Sequence, residues 1–176
     1  MQDEELIIYE VKNGNKEIFG ELVKKYQDSL FTFIFYSVRD ESAAKDILQE
    51  TFIKALKEID KYEEQGKFKA WLWTIARNKV MDFYRKANKI VPLEEENLEQ
   101  HDETSKKALG NIELGYIEGI IEKLPTEQKE IILMRQYLSF KEIASVLNCP
   151  LGTVLARLNR AIKKIQKSLG EGYVAQ

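Results

Sequence analysis

Apolar residues recur at intervals of three and four from position 17 onward. Phe19, Leu22, Val23, Tyr26, Leu30, Phe33 and Ile34 fall into this rhythm, and the spacing predicts one amphipathic helix over 17–38. A shorter helix fits before Gly14. The pattern repeats in Ile47, Leu48, Thr51, Phe52, Ala55, Leu56 and Ile59, after a cap at Asp40 or Ser42, and again in Leu72, Ile75, Ala76, Val80 and Phe83. Each stripe needs another to cover it, so these segments are expected to form a small helical bundle.

Beyond Arg85 the rhythm stops. EEENLEQHDET carries Glu94, Glu95, Glu96, Glu99, Asp102 and Glu103 with no lysine, arginine or aromatic residue, a composition that predicts a flexible acidic linker over 90–112. Periodicity resumes at Ile117, Ile120, Ile121 and Leu124. Pro125 and Thr126 then open a helix made amphipathic by Ile131, Ile132, Met134 and Leu138. No segment has strand periodicity, no repeat is visible and no glycine-rich phosphate loop occurs. The expected fold class is all-α, with one small helical domain over 1–89 and a second over 113–176.

The second domain ends in a recognisable arrangement. Ser139 can cap a helix holding Ile143, Ala144 and Leu147, a turn is expected over 148–152, and a further helix carries Val154, Leu158, Ile162 and Ile165 on one face. This is the pattern of a helix-turn-helix. Small Ala144 would let the helices approach, Asn148 tolerates a left-handed backbone, and Thr153 sits where the second helix is expected to start. Packing the apolar stripe inward leaves Leu155, Ala156, Asn159 and much of Arg157, Arg160, Lys163 and Lys167 to face out. In a major groove the early residues would meet base edges and the later cations would meet phosphates. No acid lies between Pro150 and Ser168, although the chain as a whole carries a net charge of -2. A solvated basic face is the plainer alternative.

A second basic stretch, Lys67, Lys69, Arg77, Lys79, Arg85, Lys86 and Lys89, surrounds one acid, Asp82, and interleaves with Phe68, Trp71, Trp73, Phe83 and Tyr84. Cations beside aromatic rings suit single-stranded nucleic acid. For Phe83 and one of the two tryptophans, a place in the core is the favoured reading.

With 176 residues, 44% hydrophobic and 32% charged, the chain has the composition of a globular protein. Its longest apolar run, over 30–38, is far below the ~20 residues of a membrane span. The acidic N-terminus does not resemble a secretory signal, so a cytoplasmic location is expected. One cysteine, Cys149, and one histidine, His101, offer no internal disulfide, no Cys/His zinc cluster and no nucleophile-histidine set. Neither an enzymatic activity nor a cofactor is expected.

Taken in order, FGELVKKYQDSLFTFIF, AAKDILQETFIKAL, FKAWLWTIARNKVMDFYRK and LPTEQKEIILMRQYLSFKEIASVLNCPLGTVLARLNRAIKKI resemble the extracytoplasmic-function sigma factors, bacterial RNA polymerase subunits. The resemblance implies a sigma2 domain over 1–89 and a sigma4 domain over 113–176. It implies that Asp46, Gln49 and Glu50 dock on the beta-prime clamp helices of core polymerase. Lys67, Lys69, Trp71, Trp73, Arg77, Asn78, Lys79 and Arg85 would melt and read the minus-ten element, with the loop KYEEQGKF shaping a pocket for an extruded base. The residues from Thr153 to Lys167 named above would read the minus-thirty-five element, with the beta flap as a further partner. The linker would pass through the polymerase cleft as an acidic mimic of RNA. An anti-sigma factor is the expected regulator, and no small-molecule substrate is implied. Members commonly read GTVKSRLHRAR where this chain has GTVLARLNRAI, so Leu155, Ala156, Asn159 and Ile162 replace polar or cationic residues. An apolar Leu155 could touch a thymine methyl but offers no hydrogen bond. The alternative is a helix-turn-helix regulator acting without core polymerase, since LPTEQKEIILMRQYLSFKEIASVL also resembles that class.

Overall fold

The structure, a computed structural model, describes residues 4–63, 66–90 and 112–173. The linker read over 90–112 lies outside the described residues, apart from Ile90 and Ile112 at its two ends. In the loop KYEEQGKF, Glu64 and Gln65 lie outside them too. Among the described residues the regular structure is entirely helical, and the chain divides into two compact units between Asp102 and Glu103.

The first unit contains α1 (Glu4–Lys12), α2 (Phe19–Val38), α3 (Glu41–Glu58) and α4 (Phe68–Ile90), with 3-10 turns at Lys16–Ile18 and Ile59–Lys61. Helices α2, α3 and α4 each pack on the other two. Their shared core holds Leu22, Leu30, Phe33, Ile34, Phe68, Leu72 and Trp73, all buried. Phe33 and Trp73 meet with ring centroids 5.2 Å apart. Of the two possible caps, Asp40 begins α3, its carboxylate accepting the Ala43 N–H at 2.6 Å. Thr51 fits the buried stripe because its hydroxyl donates to the Ile47 carbonyl at 2.7 Å, which satisfies that hydroxyl inside the core. Helix α1 is tied to α2 by Glu4, whose carboxylate accepts from Lys25 at 2.6 Å and from the Tyr26 hydroxyl.

The second unit contains α5 (Ile112–Glu122), α6 (Thr126–Arg135), α7 (Phe140–Val146) and α8 (Leu151–Tyr173). Helix α8 packs on α5, α6 and α7. Ser139 caps α7 through a reciprocal box with Glu142: the Glu142 N–H donates to the Ser139 hydroxyl at 3.3 Å, and the Ser139 N–H donates to the Glu142 carboxylate at 2.7 Å. Asn148 takes the left-handed conformation expected of it, with φ 48°.

Two expectations about this motif are corrected. The turn is shorter than 148–152: Pro150 accepts the Thr153 and Val154 N–H groups, α8 begins at Leu151, and Thr153 is half-buried inside its first turn. The buried stripe of α8 also runs differently. Val154 and Ala161 are buried, Leu158 and Ile165 are half-buried, and Ile162 is 39% exposed. At about 100° per residue, positions 154, 158, 161 and 165 cluster within about 60°, whereas 162 lies outside that arc. Ala161 is therefore the small residue at the centre of the packing, and Ala144 is only half-buried.

Candidate functional site

On α3 the residues divide cleanly by face. Ala44, Ile47, Thr51, Phe52 and Ala55 are buried, while Asp46, Gln49 and Glu50 are exposed on the opposite side. Ile53 lies among these polar residues at 45% exposure. Positions 46, 49, 50 and 53 span about 100° of the helix surface. Sequence reasoning assigned Ile53 to neither face. The available signal was that the other apolar residues of this helix complete a stripe without it.

Helix α4 spreads its candidate residues over several directions. Trp71, Asn78 and Arg85 repeat every seven residues and fall within about 40° of one another. Trp71 is half-buried against Tyr62 and Phe68, at centroid distances of 5.3 Å and 5.5 Å, and Asn78 and Arg85 are exposed. The Arg85 guanidinium donates to Asp82 at 2.8 Å. Lys67 is exposed beside this cluster, its backbone N–H donating to the Tyr62 hydroxyl at 3.1 Å. Lys69 and Arg77 are half-buried on other sides of the helix. Trp73 does not belong to the site. It is 0% exposed and packed on Phe33, so no base can reach its ring. Phe83, expected in the core, is half-buried.

Lys79 points towards α3. Its ammonium donates to the Glu50 carboxylate at 2.6 Å, so a residue assigned to nucleic acid and one assigned to polymerase are bound to each other. The pair borders a groove of ≈ 410 Å³ between the two helices, lined by Asp46, Phe83, Arg85 and Lys86 among others. The Lys79 ammonium holds the Glu50 carboxyl below its usual range. Slight burial opposes this, and the charges of Lys79 and Lys86 reinforce it.

On α8, Thr153, Ala156, Arg160, Lys163 and Lys167 share one face within about 80°, and Asn159 lies at its margin. Arg160, Lys163, Lys167 and Asn159 are exposed. Arg157 faces elsewhere: its guanidinium pairs with Glu127 of α6 at 3.0 Å and its side chain is 24% exposed. Leu155 is 40% exposed but lies about 120° from the centre of the cationic face, beside exposed Leu151 and Ile162. The four replacements in GTVLARLNRAI thus divide: Ala156 and Asn159 adjoin the cations, and Leu155 and Ile162 extend the apolar side. Among the described residues no cluster of His, Cys, Asp and Glu could hold a metal ion, and no helix is long and apolar enough to cross a membrane.

The family model of Sigma-70 region 2 matches residues 22–90, and that of Sigma-70, region 4 matches residues 114–165. The chain is 31% identical to the RNA polymerase sigma-H factor of Pseudomonas aeruginosa, covering 96% of this chain and 94% of that protein. It is also 31% identical to the ECF RNA polymerase sigma factor SigW of Bacillus subtilis, covering 92% and 94%. Among solved structures, CnrH in complex with the cytosolic domain of CnrY aligns with a TM-score of 0.72 at 25% identity, over 94% of this chain and 96% of that one. The sigma factor RpoE in complex with the anti-sigma factor NepR from Bartonella quintana aligns with a TM-score of 0.69 at 25% identity, over 86% and 96%.

Proposed function

Because the chain belongs to the extracytoplasmic-function sigma factors, non-enzymatic initiation factors that direct RNA polymerase to promoters, we propose how its faces divide that work. Asp46, Gln49, Glu50 and Ile53 of α3 dock on the beta-prime clamp helices, the carboxylates steering a basic partner and Ile53 supplying apolar contact. Trp71, Asn78 and Arg85, with Lys67 beside them and Lys69, Arg77 and Lys79 reaching in from other sides of the helix, hold the opened minus-ten strand. Thr153, Ala156, Asn159, Arg160, Lys163 and Lys167 enter the major groove of the minus-thirty-five element, and the same unit meets the beta flap. The segment 1–89 is the polymerase and minus-ten domain, 113–176 the minus-thirty-five domain, and 90–112 the acidic connection through the polymerase cleft.

The observation that carries this reading is the segregation of charge on α8. Its exposed cations share one face, and that face follows a left-handed turn at Asn148. Such a face meets phosphates on either side of a groove. An anti-sigma factor regulates the chain, by analogy with the RpoE–NepR complex, and the protein acts in the cytoplasm.

Arg160→Ala tests the groove assignment. It is expected to weaken binding of the upstream element and to reduce the salt slope by about 0.9 for the lost phosphate contact, read by fluorescence anisotropy across a salt series. Arg157→Ala is expected to change the slope less, because its guanidinium is already paired with Glu127. Equal changes in the two variants would contradict the assigned face.

A further inference from the structure

Resting on the reading of α3 as polymerase-facing and α4 as DNA-facing, we propose that Glu50 masks Lys79 in the free chain, and that a basic partner docking on Asp46 and Glu50 releases Lys79 to nucleic acid. The two residues lie 29 apart in sequence, yet the ammonium and carboxylate meet at 2.6 Å across the groove between the helices. Their exposures differ in a way that suits an exchange. The Glu50 side chain is 55% exposed and the Lys79 side chain 25%, so an incoming cation reaches the carboxylate directly, whereas the lysine stem lies against the protein.

Loss of the partner carboxylate leaves a flexible ammonium on the helix that carries Asn78 and Arg85. A phosphate is then its alternative acceptor. Asp46 and Lys86 line the same groove. Asp46 gives the incoming cation a second carboxylate, and Lys86 adds to the positive charge that the exchange exposes. An exposed ion pair contributes modestly, so the coupling is expected to change affinity about two- to fivefold. The effect must be equal in both directions, with DNA on Lys79 favouring polymerase on Glu50 by the same factor.

The test titrates the full chain with a labelled single-stranded oligonucleotide at low salt, and separately with core polymerase. Glu50→Gln is expected to tighten oligonucleotide binding about two- to fivefold and to steepen its salt slope by about 0.7, one further phosphate contact. In the double variant Glu50→Gln with Lys79→Gln the gain should vanish. Lys79→Gln alone should tighten polymerase binding by a similar factor. No gain from Glu50→Gln, or a gain that persists without Lys79, overturns the masking even if polymerase binding falls as the docking assignment requires. A Lys79-dependent gain with polymerase affinity unchanged in Glu50→Gln overturns the release by removing its polymerase end.

Discussion

Trp73→Ala is expected to destabilise the N-terminal unit severely, and Trp71→Ala to leave it nearly as stable. The Trp73 ring is fully buried against Phe33 in the core shared by α2 and α4. Truncating a buried tryptophan to alanine costs about 3–5 kcal/mol, a large part of the ~5–15 kcal/mol available to a small domain. Urea denaturation followed by circular dichroism should show the transition of the N-terminal unit shifted to much lower urea while the C-terminal unit keeps its own. Trp71 is half-buried, so removing it spares most of the core. If its ring supports a base, its loss should weaken single-strand binding by about 1–3 kcal/mol. A Trp73→Ala chain of undiminished stability with impaired DNA binding would place the wrong indole at the surface.

Charge reversal on α3 is expected to have the second large effect. Asp46→Lys and Glu50→Lys put cations where a basic partner approaches, and like charges brought together at an interface cost several kcal/mol. Together they should reduce affinity for core polymerase by on the order of 100-fold or more. Both side chains are exposed, so the helical signal should be retained. Glu50→Lys also sets a second lysine beside Lys79, which makes Asp46→Lys alone the cleaner variant. Undiminished pull-down of core polymerase by that folded variant would remove this face from the interface.

Much of the fold was legible because helical burial imposes a periodicity that the chain obeys closely. Most of the stripe residues in α2 and α3 are buried, with Val23, Leu48 and Leu56 half-buried at the margins, and Ser139 and Asn148 adopt the conformations their side chains favour. Where the reading failed, side-chain size misled it. Ile162 is larger and more apolar than Ala161, yet the phase of the helix set by Val154 and Leu158 turns position 161 inward. The two tryptophans of α4 could not be told apart by composition, and only packing on Phe33 distinguishes Trp73 from Trp71. The basic character of Lys79 and Arg157 was plain, but their partners Glu50 and Glu127 are distant in sequence. A charge count along the chain therefore identifies cations without showing which of them are already neutralised.

Run-off transcription with purified core polymerase and a randomised promoter library, with and without this protein, asks whether these faces direct promoter-specific initiation. Sequencing the products should reveal transcripts that depend on the protein and share two spaced upstream motifs. Weaker stimulation from promoters carrying the upstream motif in the Arg160→Ala variant should link that motif to α8. Absence of any stimulated transcript, with duplex DNA still retained by the protein alone, would contradict the assignment of these faces to promoter-directed initiation.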